Sequence, residues 1–262
     1  MTDGRARWDD LITRTASGVL ALGVGAAAVW AGGWWFALVT TAVAALMVWE
    51  LGGMCGAGSR APALAGCAGL ALLAAQFMTG VLAVATLMIP AALGLALLGA
   101  RPRVFALFAA LIALAAYGLI ALRHTDSLRL VGWLVAVVVA TDIAGYFAGR
   151  AVGGPKLWPR LSPKKTWSGA VAGWAASAGV GALFFAGTAA LVPMLAISVL
   201  ASMASQTGDI AESALKRGSG VKDSSGLMPG HGGIFDRFDG MLGAALFVLV
   251  VQLSFGLPAG AM

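Results

Sequence analysis

The feature that most limits this chain is a succession of apolar runs, each long enough to approach or cross about 30 Å of hydrocarbon. They fall at 16–31, 34–51, 61–78, 80–99, 104–122, 129–149, 168–187, 189–207 and 240–257. Hydrophobic residues make up 60% of the 262 and charged residues only 11%, where a soluble domain carries about 25% charged residues. No soluble core of this size has a use for so much apolar surface, so lipid is the solvent for most of the chain. The expected fold is all-α: a polytopic integral membrane protein of about nine transmembrane helices.

The first run is short and Gly-rich, with Arg5, Arg7 and Arg14 before it, which invites comparison with a signal peptide. Asp9 and Asp10 dilute that basic region and a second apolar run follows at once, so it is read as a retained span. With the N-terminus in the cytoplasm, the cytoplasmic loops hold 15 of the 17 Lys and Arg residues, and only Arg123 and Arg129 face the other side. That is the bias the positive-inside rule requires. Cys55 and Cys67 lie among small apolar residues, where packing explains them better than a bridge or a metal.

Charge is distributed unevenly along the chain. Between residues 16 and 122 the charged residues are Glu50, Arg60, Arg101 and Arg103, whereas segments 141–167 and 205–240 hold 15 of the chain's 28. Residues 1–128 are therefore read as membrane scaffold helices. Residues 129–262 are read as a catalytic membrane domain with cytoplasmic loops 150–167 and 208–239.

Three polar constellations stand out. Asp142, Tyr146, Gly149 and Arg150 are spaced to share one helix face, and an ionisable group inside a span is usually functional. The loop after them, through Gly153-Gly154-Pro155 to Ser162-Pro163-Lys164-Lys165-Thr166, is shaped by Gly and Pro and offers N–H groups and Lys side chains to phosphate. Asp209, Glu212, Ser213 and Lys216 form a second stripe, its oxygen donors suited to a hard cation such as Mg²⁺. The third runs from Lys222-Asp223 to Pro229-Gly230-His231-Gly232-Gly233 and on to Asp236, Arg237 and Asp239. The blander readings are an Asp142–Arg150 structural pair, an Asp/Glu–Lys surface pair, and helix capping by Asp236 and Asp239. Acidic groups for metal, basic groups for phosphate and a membrane to supply a lipid together fit phosphoryl or nucleotidyl transfer.

Ser213-Ala214-Leu215-Lys216-Arg217, then Lys222-Asp223, then Pro229-Gly230-His231-Gly232-Gly233-Ile234-Phe235-Asp236-Arg237-Phe238-Asp239 resembles the signature of the phosphatidate cytidylyltransferases, also called CDP-diacylglycerol synthases. Thr141-Asp142 through Arg150, Ser162 to Trp167, and Gly208-Asp209 with Glu212-Ser213 resemble the same family. The resemblance covers about the last half of the chain. It implies a membrane enzyme, usually dimeric, that makes CDP-diacylglycerol and pyrophosphate from CTP and phosphatidic acid. It also implies Mg²⁺, with K⁺ as a second candidate, held by Asp209 and Asp236, to which the residues add Glu212. One departure is Ser168, where the family is expected to carry Glu.

The expected reaction is in-line attack of the phosphatidic acid phosphate on the α-phosphorus of CTP. Asp209, Asp236, Lys216, Asp239 and Asp223 form the expected catalytic set. Arg217, Lys222, His231, Arg237, Lys164, Lys165, Asp142 and Ser213 are assigned to substrate. The expected partners are a second copy of the chain and the bilayer, in a bacterial cytoplasmic membrane with the site on its cytoplasmic side; nucleic acid is not expected. A transporter would place ionisable residues near the middle of several spans, and an alcohol phosphotransferase would show a different aspartate pattern; neither is seen.

Overall fold

The computed structural model describes residues 3–124, 128–228, 230 and 232–261. Among these, ten α-helices account for nearly all regular structure: α1 Asp3–Ala31, α2 Gly33–Met54, α3 Ala61–Ala75, α4 Gly80–Leu87, α5 Ile89–Leu97, α6 Pro102–His124, α7 Leu128–Ala151, α8 Trp167–Phe185, α9 Leu191–Gly218 and α10 Phe235–Phe255. A small antiparallel hairpin, β1 Lys156–Trp158 and β2 Ser162–Thr166, joins α7 to α8, with Lys156 opposite Thr166 and Trp158 opposite Ser162.

The helix ends follow local chemistry. Gly32, at φ 63° and ψ −157°, breaks α1 from α2 in a conformation that a side chain would strain. Pro90 occupies the first turn of α5; lacking an N–H, it divides the span 80–97 into α4 and α5. The Thr166 hydroxyl accepts from the Gly169 amide at 3.2 Å and caps α8.

Eight segments of the described residues are long and apolar enough to span a bilayer, beginning with Gly33–Met54 and ending with Phe235–Phe255. The first expected span lies within α1, a helix of 29 residues whose apolar stretch among the described residues is Ser17–Ala31. Two helices also exceed their apolar runs. α9 continues to Gly218 and α10 starts at Phe235, so the charged motifs around Asp209 and Asp236 are helical. Large apolar residues such as Leu70, Phe77, Val81, Leu183 and Leu253 are exposed, as they are where hydrocarbon is the solvent.

The chain forms two compact units: residues 1–110 with 219–237, and residues 111–218 with 238–262. In the first, α2 and α3 pack together with α4 and α5 against α3. Its buried residues include Phe36, Leu51, Leu72, Phe105 and Phe235. Gly94 admits the Phe105 ring, whose Cδ1 would lie 2.1 Å from a Cβ at that position. Cys55, just past α2, has its thiol pushed up by burial, opposed by the Arg101 guanidinium, as suits a packed thiol. In the second unit, α7 packs on α8, and α9 on both. Trp133, Leu134, Phe185 and Met194 are fully buried there. Compactness thus divides the chain differently from the functional boundary expected at 128/129, because 219–237 belongs with the N-terminal helices.

Candidate functional site

In the second unit, α7, the hairpin, the start of α8 and α9 enclose a cleft of about 540 Å³. Asp142, Tyr146, Gly149 and Arg150 all line it, so the spacing on α7 does bring these four to one face. Arg150 donates to the Tyr146 hydroxyl at 2.9 Å, leaving Asp142 to the cleft. β2 contributes Lys164 and Lys165, and α9 contributes Gln206 and Asp209. The Lys165 ammonium lies 2.5 Å from Asp209 Oδ2, with both side chains partly accessible at 26% and 30%. Asp239, from α10, stands in the electrostatic field of Asp209, Asp142 and Lys165.

Small residues make this convergence possible. A Cβ at Gly208 would lie 2.3 Å from the Asp239 carbonyl oxygen, and one at Gly243 would lie 2.1 Å from that of Ala204. The helices α9 and α10 therefore cross backbone to backbone beside the two aspartates, the close approach that small residues allow in membranes. On α8, a Cβ at Gly169 would lie 2.6 Å from the Gly145 carbonyl oxygen of α7. Buried polar pairs hold the register. Thr141 and Ser202 hydroxyls meet at 2.7 Å, Trp133 Nε1 donates to Ser198 at 2.8 Å, and Trp174 Nε1 donates to Gln206 Oε1 at 3.0 Å.

The stripe expected on α9 divides. Asp209 opens to the cleft, whereas Glu212 is buried and its Oε2 lies 2.7 Å from Lys216 Nζ. Positions three apart differ by about 60° around a helix, enough to send one carboxylate outward and the next inward. Ser213 is half-buried and Arg217 is exposed. Ser168, the departure from the expected Glu, donates to the Gly153 carbonyl and lies 3.0 Å from the Thr166 hydroxyl. It ties the turn after α7 to the cap of α8.

The remaining motif residues belong to the first unit. Lys222, Asp223 and Arg237 are exposed. Asp236 Oδ2 accepts from the Ser224 amide at 2.9 Å, the Ser224 hydroxyl at 2.9 Å and the Gly233 amide at 2.8 Å. It therefore folds the segment before α10 back onto the helix's first turn. His231 lies outside the described residues. The group that sequence reasoning missed is Glu50 on α2. It is 2% exposed and accepts from the amides of Ile234 and Phe235 and the hydroxyls of Ser224 and Ser225. The only available signal was a lone carboxylate inside an apolar run.

Among the described residues, no group of three or more His, Cys, Asp and Glu side chains is arranged to hold a metal ion by itself. The donor chemistry nevertheless suits Mg²⁺, a hard cation that commonly takes one or two carboxylates and completes its shell with water and substrate phosphates. Asp209, with Asp142 and Asp239 nearby, supplies such oxygens, and the Lys165 ammonium already marks the place as one that favours positive charge.

The phosphatidate cytidylyltransferase of Brucella suis biovar 1 (strain 1330) is 53% identical over 131 residues, covering 48% of this chain and 47% of that protein. That of Bacillus subtilis (strain 168) is 39% identical over 128 residues, 47% of this chain and 48% of the relative. That of Haemophilus influenzae (strain ATCC 51907 / DSM 11121 / KW20 / Rd) is 39% identical over 122 residues, 44% and 42% respectively. The match thus spans about half the length of these curated relatives. The model of the cytidylyltransferase family matches residues 12–255, nearly the whole chain, and this integral membrane protein belongs to that family.

Proposed function

We propose that the chain is a CTP:phosphatidate cytidylyltransferase that makes CDP-diacylglycerol and pyrophosphate. The observation that carries this reading is the meeting of Lys164 and Lys165 with Asp142 and Asp209 in one cleft of about 540 Å³, a pairing of phosphate-binding cations with carboxylates. The names of the matched relatives agree with it. The phosphate of phosphatidic acid, anionic near neutral pH, attacks the α-phosphorus of CTP. A new P–O bond forms, the α–β phosphoanhydride bond breaks and pyrophosphate leaves, so no strong general base is needed.

Lys164 and Lys165 hold the triphosphate oxygens as ammonium donors. Lys165 can exchange Asp209 for phosphate because the pair is partly accessible. Asp209, with Asp142 and Asp239, is the group that would hold Mg²⁺. With Mg²⁺ held there, these carboxylates would place it to supply neutralisation of triphosphate charge, the main catalytic need in such transfers. Ile143, Tyr146 and Phe147 are exposed on the same helix as Asp142 and give the acyl chains an apolar flank. A homodimer in the bacterial cytoplasmic membrane, with the cleft on the cytoplasmic side, completes the proposal.

The test is pyrophosphate release from CTP by the purified chain in detergent, with phosphatidic acid and Mg²⁺ each supplied, omitted, or removed by chelation. Release should require both and should fall at least about 100-fold in Asp209→Asn. Release independent of lipid, or full activity in Asp209→Asn, overturns the assignment.

A further inference from the structure

We propose that Glu50 is a positioning residue, holding Ser224, Ser225 and the start of α10 at Ile234 and Phe235 from inside the apolar N-terminal half. The inference rests on the proposed cytidylyltransferase reaction, because this segment follows Lys222 and leads into Arg237, both assigned to substrate phosphate.

The geometry is that of an anion seated at a helix start. Glu50 Oε1 accepts from the Ile234 amide at 2.9 Å and the Ser225 hydroxyl at 2.5 Å. Oε2 accepts from the Phe235 amide at 2.7 Å and the Ser224 hydroxyl at 3.1 Å. The first amides of a helix have no partner within it and carry its positive end, so a carboxylate there is doubly favoured. The carboxylate comes from 185 positions earlier in the chain, and both of its oxygens are occupied. The Ser224 hydroxyl proton is shared with Asp236, which also accepts from the Ser224 amide, so Glu50 and Asp236 hold the same loop.

The fit leaves no slack. A Cβ at Gly233 would lie 2.0 Å from the Ser224 hydroxyl and 2.4 Å from Glu50 Oε1, so the backbone can pass there only without a side chain. Glu50 itself is 2% exposed. A buried carboxylate is costly unless fully hydrogen-bonded, and here two amides, the Ser225 hydroxyl and a Ser224 hydroxyl shared with Asp236 compensate it. A residue serving only to fill space would need none of them.

Because each Glu50 oxygen accepts from a backbone amide, the decisive variant is Glu50→Gln, which preserves volume. Its amide nitrogen must point a donor at either the Ile234 or the Phe235 amide, and the grip is lost at that end. The experiment uses the full chain in detergent with phosphatidic acid micelles. It measures KM for CTP, kcat, and the rate of tryptic cleavage after the exposed Lys222. Glu50→Gln should raise KM about tenfold or more while kcat at saturating CTP falls less than about threefold, the pattern of lost uniform binding. Cleavage after Lys222 should be severalfold faster than in the unmodified chain.

Ser225→Ala, which removes one of the four donors, should show smaller changes in the same directions, and it serves if Glu50→Gln does not accumulate. A purely structural Glu50 would lower kcat with the folded fraction and leave KM alone. Unchanged KM, or unchanged cleavage, in both variants overturns the proposal. If the unmodified chain shows no lipid-dependent turnover, the functional reading fails and the substrate half of this inference fails with it. The cleavage rates still decide whether Glu50 holds the segment.

Discussion

Gly208→Ala is the smallest change that should shift Asp209 on α9 relative to Asp239 on α10, in whose electrostatic field it lies. The added Cβ would meet the Asp239 carbonyl oxygen at 2.3 Å, the Gly243 amide nitrogen at 3.1 Å and the Gly243 Cα at 3.2 Å. Ordinary contact begins near 3.4 Å, so the helices must part by about 1 Å. No flexible side chain can yield instead, because all three obstacles are backbone. Overpacking of this kind costs about 1–3 kcal/mol, and the gain in helix propensity from Gly to Ala returns up to about 1 kcal/mol. The net loss of stability is therefore modest. Catalysis is less forgiving: a displacement of about 1 Å in a catalytic group can cost about 100-fold. The expected result is lipid-dependent pyrophosphate release reduced about 10- to 100-fold, in a protein whose melting temperature in detergent falls by only a few degrees. Gly179→Ala on α8 is the control, since nothing lies within 4 Å of its Cβ. It should retain activity and gain about 0.5–1 kcal/mol. Equal activity in the two variants would refute the argument that backbone contact at Gly208 sets the aspartate spacing.

Two further substitutions probe the same unit. Lys165→Met removes the ammonium 2.5 Å from Asp209. CTP turnover should fall about tenfold or more through loss of phosphate binding and charge compensation, measured as kcat/KM. Stability should change by less than about 1 kcal/mol, because the pair is partly solvated. Trp133→Phe removes the donor to Ser198 at 2.8 Å from a fully buried site. It should lower stability by about 1–3 kcal/mol through the lost hydrogen bond and indole volume, with activity per folded molecule unchanged in the pyrophosphate assay.

Legibility tracked the range of each interaction. The α7 face was readable because Asp142, Tyr146, Gly149 and Arg150 follow helical spacing, and the structure lines them along one cleft. The apolar runs were readable for the same reason, and six of the nine helix positions differ from them by only a few residues at each end. The first run, 16–31, lies within the longer helix α1, Asp3–Ala31. The last began late because apolarity ends where the charged turn Phe235–Asp239 begins, while the helix does not. The hairpin was read only as a shaped loop. Its strands, of three and five residues, are too short and too rich in Lys and Pro to show alternation. The inward turn of Glu212 was hidden because a stripe at positions three and four apart spans a wide arc.

Glu50 shows why the missing part was missing, and it changes the reading of the N-terminal half. Its partners lie 174 to 185 positions away, and no local pattern connects an apolar helix to a Gly- and Ser-rich loop across that distance. A burial argument alone would have marked it: an ionised carboxylate inside a span must find donors, and α2 has none to spare, because its own amides are engaged in the helix. The donors must then come from backbone not already hydrogen-bonded, which in a helical membrane protein means helix starts and loops. The motif-bearing loop 219–237 is rich in both, and it folds into the same compact unit as α2. The N-terminal helices, which carry none of the expected site residues, therefore do more than fill the bilayer: through Glu50 they fix the start of α10, on which Asp236 is the next carboxylate along the chain.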